Sequence, residues 1–157
     1  MVRALAAALL CGGLTACGAS EATQEPAGPP PGLPYASASN DCAPWDGHAI
    51  TVLLSGSAGS DTGGIDANSR PLVRVSVYPR SALTAGQRFS WPADPEVAAG
   101  VRCLAGASCE SADRGWIRIS GEPDSVWAGS IELHFADGST VAGAFRARWI
   151  QRTVLCG

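Results

Sequence analysis

Between Trp127 and Trp149 the chain alternates apolar and polar positions with a period of two. Trp127, Gly129, Ile131, Leu133 and Phe135 share one face, and Ala128, Ser130, Glu132 and His134 share the other. That is the pattern of a half-buried strand. A second run follows Asp137-Gly138, with Val141, Gly143, Phe145, Ala147 and Trp149 set against Ala142, Ala144, Arg146 and Arg148. Asp-Gly between two such runs marks a β-hairpin. Register then selects the loop. A two-residue turn would place Ile131 opposite Ala144 and Gly129 opposite Arg146, mixing the apolar face with the charged one. A three-residue loop, Ala136-Asp137-Gly138 with Gly138 left-handed, pairs Leu133 with Val141, Ile131 with Gly143 and Gly129 with Phe145. Glycine tolerates the positive φ that this loop needs, and an aromatic side chain lying across from a glycine stabilises a sheet.

The same alternation, with turn residues as punctuation, predicts strands over Ala49 to Leu54, Leu72 to Tyr78, Gln87 to Trp91 and Trp116 to Ser120. Val73, Val75 and Val77 form the inward set of the second of these. Gly121-Glu122-Pro123-Asp124 turns the fourth into the strand that begins near Val126, so the C-terminal part reads as a three-stranded meander. Ser55 to Arg70 is rich in Gly, Ser, Asp and Asn and reads as a long loop. Ala93 to Ala112 shows no clean period. No window of helical length shows a 3.6-residue period. Short strands with regular turn signals predict an all-β fold, a small antiparallel sandwich or barrel.

The N-terminus has a different character. Met1-Val2-Arg3 is a short positive start, Ala4 to Leu10 is apolar, and Leu14-Thr15-Ala16-Cys17 follows. The apolar run is too short to span a bilayer. Leu14 to Cys17 resembles the lipobox of bacterial lipoproteins, and the resemblance is confined to the first twenty or so residues. It implies a signal peptide over residues 1–16 and lipidation, palmitate included, at Cys17. More than one acyl chain makes such anchoring stable. It also implies an exported location on the cell membrane or the outer membrane, with Gly18 after the cysteine leaning to the outer one. From Cys17 to Asn40 the chain is polar and proline-rich, ending in Gly28-Pro29-Pro30-Pro31-Gly32-Leu33-Pro34. This composition predicts a disordered tether with polyproline II character over residues 17–40, and a folded domain over residues 41–157.

The folded part holds Cys42, Cys103, Cys109 and Cys156. In an exported chain an even count argues for disulfides. Four cysteines permit three pairings; the favoured one joins Cys103 to Cys109 in a small loop and Cys42 to Cys156 across the ends of the domain. Zinc is the rival use, but close Cys-x-x-Cys spacing is missing.

Composition narrows the function classes. Net charge is −3, and all eleven cationic residues are Arg. No basic run suggests nucleic acid. The chain has two histidines, His48 and His134; His134 falls on the outward face of the hairpin near Glu132. A His–carboxylate pair is a fragment of catalytic and metal sites, and equally a pair of polar residues on a wet face. The chain contains no Gly-x-Ser-x-Gly elbow, phosphate loop, HExxH or CxxC. Asp61, Asp66 and Asn68 do not have calcium-loop spacing. No cofactor is implied, and the balance leans away from an enzyme. Of the five tryptophans, Trp127 and Trp149 have inward parity and belong in the core. Trp45 near a chain end and Trp91 before a proline are the candidates for ligand contact.

These readings converge on a membrane-anchored envelope lipoprotein with a non-enzymatic β domain that binds an envelope protein or a small ligand. Its plan of anchor, proline spacer and disulfide-closed β domain is similar to that of small lipoproteins that inhibit lysozyme, which makes the 55–70 loop a candidate inhibitory loop. A small-molecule carrier is a further alternative.

Overall fold

A computed structural model describes residues 26–45, 47–58, 70–79, 83–92, 98–105, 108–120 and 126–156. Residues 1–25, with the expected signal peptide and Cys17, and most of the 55–70 loop lie outside the described residues. The fold is all-β. Among the described residues its nine strands are β1 (Tyr35–Cys42), β2 (His48–Ser55), β3 (Leu72–Val77), β4 (Gln87–Trp91), β5 (Ala98–Cys103), β6 (Cys109–Ser111), β7 (Arg114–Ile119), β8 (Val126–His134) and β9 (Thr140–Ile150). They form one curled sheet in the order β4-β7-β8-β9-β1-β2-β3-β5-β6. Alternation with β-branched and aromatic residues drives most of them.

The β8–β9 hairpin has the register that its alternation demands. Leu133 faces Val141, Ile131 faces Gly143 and Gly129 faces Phe145. Phe135 donates its N–H to the Ser139 carbonyl at 3.1 Å, which leaves residues 136–138 as the loop, and Gly138 has a φ of 80°. With β7 this hairpin makes the meander, β7 pairing with β8 from Arg114–His134 to Ile119–Gly129.

Two expectations need correction. The sheet is mixed and not purely antiparallel, because β1 runs parallel to β9 at Ser37–Arg148, Ala38–Trp149 and Ser39–Ile150. Folded structure also begins well before Asp41. β1 is the middle strand of the sheet, although its sequence, YASASNDC, carries almost no large apolar side chain. Small residues fill its inward positions: Ala38 is fully buried, and Ala36 packs against the core.

The proline-rich run is likewise part of the fold. Pro30-Pro31-Gly32-Leu33 forms a turn closed by a 3.0 Å hydrogen bond from the Leu33 N–H to the Pro30 carbonyl, with Gly32 at φ 75°. Proline at the second position and a left-handed glycine at the third give a type II turn. Pro30 and Leu33 are buried, and the Gly28 carbonyl accepts a 2.7 Å bond from the Ala144 N–H of β9. The segment fills the wedge left where β9 runs past the start of β1.

The core is formed by Val52, Leu54, Val73, Val75, Val77, Phe89, Trp91, Ile117, Ile119, Trp127, Ile131, Leu133 and Phe145, among others. Trp91 helps the sheet curl on itself. Its indole lies against Gly100 of β5 and Gly115 of β7, where a Cβ would meet it at 2.7 and 2.9 Å. Glycine is needed there for close approach. The Gly100 carbonyl accepts a 2.8 Å bond from Ala112, and the His134 carbonyl accepts a 2.9 Å bond from Asp113. Trp127 is buried and stacks on the half-buried Trp149 with centroids 4.9 Å apart.

The cysteines pair as favoured: the sulfurs of Cys42 and Cys156 lie 2.08 Å apart, and those of Cys103 and Cys109 lie 2.00 Å apart, both at disulfide distance. The first pair holds the C-terminal tail beside β1. Asn40 assists by bonding both the N–H and the carbonyl of Arg152.

Candidate functional site

Three places collect polar or exposed aromatic side chains. The first is the outward face of the meander. Pairing sets Ser90, Trp116, Glu132 and Ala142 side by side across four strands, and sets Arg114, His134 and Thr140 beside them. His134 Nε2 lies 2.7 Å from Glu132 Oε1, and Thr140 Oγ1 lies 3.2 Å from His134 Nδ1. The expected pair therefore exists, on the outward face, with both ring nitrogens engaged by neighbours. Its strand spacing explains it: residues two apart point the same way. Beside it, Trp116 is buried despite its outward parity, because the Arg88 guanidinium lies 4.2 Å above its ring. That cation–π contact fixes both side chains. Arg114-x-Trp116-x-Arg118 was its visible trace in the sequence, an outward triplet at strand period.

The second place is the hairpin tip. Arg102 of β5 has inward parity, opposite Val73, and its side chain is buried. Its Nη2 donates to Glu110 Oε2 at 2.6 Å and to Asp137 Oδ2 at 2.7 Å, its Nη1 to Ser139 Oγ, and its guanidinium lies 4.0 Å over the Phe135 ring. Burial opposes the cation, but the hydrogen bonds to Asp137 and Glu110 outweigh it and hold its pKa above the ordinary arginine value. The Ser139 hydroxyl and N–H, followed by Arg102, hold the Asp137 carboxyl down to about 2. A buried charge keeps its place only when paired and hydrogen-bonded. The network links the β5–β6 edge to the β8–β9 loop. Sequence reasoning missed it, because Arg102 sits in the stretch without a period.

The third place is the β1–β2 turn. Trp45 is 51% exposed and meets the Tyr78 ring edge-on at 5.2 Å. The turn is closed by a 2.8 Å bond from the Ala43 N–H to the Gly47 carbonyl, next to the Cys42–Cys156 pair. Trp45 is thus an aromatic side chain presented on a stapled turn. Trp91, the other candidate for ligand contact, is instead 6% exposed and part of the core; the proline after it ends the strand without turning the indole outward.

The structure does not bring the candidates together. His134 and Glu132 share the meander face, whereas Trp45 stands on the turn between β1 and β2. Among the described residues, no group of three or more His, Cys, Asp or Glu side chains is placed to hold a metal ion. Comparison of the chain with protein-family models, with curated proteins and with solved structures finds no match.

Proposed function

We propose that this chain is an exported, lipid-anchored envelope protein whose β domain binds a partner and carries no catalytic site. The lipobox-like Leu14-Thr15-Ala16-Cys17 supports the anchor. One observation carries the binding reading: Trp45 is half exposed, yet it is held by Tyr78 beneath it and by a turn tied to the Cys42–Cys156 pair. A pre-ordered aromatic side chain loses little entropy on contact and supplies a large apolar area, the property of binding hot spots. His134 supports the same reading. Its ring nitrogens are occupied by Glu132 and Thr140 within the sheet face, the use expected of a surface polar pair.

The test is quantitative capture from envelope extract, with the oxidised chain and its Trp45→Ala variant as paired baits. A protein recovered stoichiometrically by the first and at least tenfold less by the second supports binding through this turn. Equal recovery by both removes Trp45 from the account.

A further inference from the structure

The outward positions of the sheet are unequally charged. On β1, β2, β3 and β5 the outward charges are Asp41 and Arg74 alone, among Ser37, Ser39, Thr51, Leu53, Ser76 and Val101. On β4, β7, β8 and β9 they are Arg88, Arg114, Arg118, Arg146 and Arg148, with Glu132 as the one carboxylate those strands carry. Asp113 precedes β7, and Glu122 and Asp124 lie in the connection between β7 and β8; with Glu132 these are four carboxylates against five arginines, Asp137 of the β8–β9 loop being paired with Arg102 of β5.

Four of the arginines share this outward face. Arg88 is directly opposite Arg118 across the β4–β7 pair, and Arg118 is followed across β8 and β9 by Ser130 and Ala144. Arg146 and Arg148 continue along β9 from Ala144. Arg88, Arg114 and Arg146 are exposed. Like charges directly opposite one another destabilise a sheet, and Arg88 against Arg118 is such a pair. Stacking on Trp116 holds the Arg88 guanidinium in place, which reduces the entropy that a contact would cost.

The chain enters the fold beside this patch. Gly28 is hydrogen-bonded to Ala144, two residues from Arg146 on the same face. Only residues 18–27 separate Gly28 from Cys17, and extended chain covers at most about 3.6 Å per residue. An anchor at Cys17 would therefore hold Gly28, beside Ala144 of this face, within about 40 Å of the bilayer.

We propose that the outward face of β4, β7, β8 and β9 docks on an anionic phospholipid surface, with Arg88, Arg114 and Arg146 pairing with headgroup phosphates. Arginine matches phosphate bidentately, and each basic residue near an anionic surface strengthens association by about fivefold. The docking rests on the anchored reading for its geometry, but the face is testable without an anchor.

The experiment is vesicle sedimentation with the oxidised chain from Gly18 to Gly157, made without acyl groups and containing every described residue. Vesicles of phosphatidylcholine alone are compared with vesicles holding 30% phosphatidylglycerol, at low and at physiological salt. The expected result is binding to the anionic vesicles only, weakened by salt, and reduced more than tenfold in Arg88→Glu/Arg146→Glu. Arg74→Glu, on the other half of the sheet, should bind as the parent does, and circular dichroism should show all three proteins folded. Equal binding to both vesicle types, no binding to either at low salt, or full binding by the double variant would overturn the proposal. None of these outcomes bears on acylation of Cys17, which is measured separately.

Discussion

Pro30 lies directly against Gly143: a Cβ on Gly143 would sit 2.3 Å from the Pro30 nitrogen and 2.5 Å from its Cδ. The contact is what turns a proline-rich stretch into a piece of the fold. Gly143→Ala must push the Pro30–Leu33 turn off the sheet, because both obstructing groups belong to a rigid ring. Overpacking of this kind costs about 1–3 kcal/mol. Urea titration should show a loss in that range, and limited proteolysis should cut the variant faster around residues 28–34 than the parent.

Trp91 and Trp45 should separate cleanly in stability. Trp91 fills the space between Gly100 and Gly115, so Trp91→Ala should cost about 3–5 kcal/mol. Trp45, half exposed on its turn, should cost under about 1 kcal/mol when replaced by Ala, as surface changes do. Chemical denaturation of the two variants reads both values, and similar losses would contradict the placement of Trp91 in the core.

The two cysteine pairs enclose very different lengths of chain, with sequence separations of 114 and 6. On the chain-entropy model the long closure contributes about 5 kcal/mol and the short one about 2 kcal/mol. Replacing Cys42 and Cys156 together by Ser should therefore lower stability distinctly more than replacing Cys103 and Cys109. Equilibrium denaturation of the two double variants makes the comparison.

Acid stability should depend on the hairpin tip. Asp137 titrates at about 2 in the fold, against an ordinary value of 3.8. A carboxyl whose folded pKa is depressed contributes stability that is fully present above the unfolded value and is lost as pH falls through the folded one. Thermal midpoints should accordingly decline between about pH 4 and pH 2, and Asp137→Asn should flatten that decline. An equally steep decline in the variant would show that other carboxylates govern it.

The hairpin was legible because one face is buried. Slipping Ile131 or Phe145 by a single residue would expose it, so alternation determines pairing and loop length together. The valines of β3 and the boundaries of β4 follow from the same rule. β1 was hidden for the opposite reason: Ala36 and Ala38 suit a central strand only because β2 and β9 supply the bulk around them. A composition poor in large apolar residues reads as spacer unless its neighbours in space are known. Pro30 was hidden in the same way, since its partner Gly143 is more than a hundred positions away. Arg102 escaped because inward parity is an apolar signal, and a buried cation becomes reasonable only with Glu110, Asp137 and Phe135 around it. Of the candidate site, the His134–Glu132 pair was readable from strand period. The exposure of Trp45 and the burial of Trp91 were not, because each depends on a partner distant in sequence, Tyr78 in one case and Gly115 in the other.

The anchor is the claim on which the functional account turns, and metabolic labelling tests it most directly. Cells expressing the full chain are grown with radiolabelled palmitate, and the protein is isolated under denaturing conditions beside its Cys17→Ser variant. The account predicts label in the parent, none in the variant, and a shift of the variant from the membrane fraction to the soluble one. An unlabelled parent, or equal label in both proteins, would contradict it.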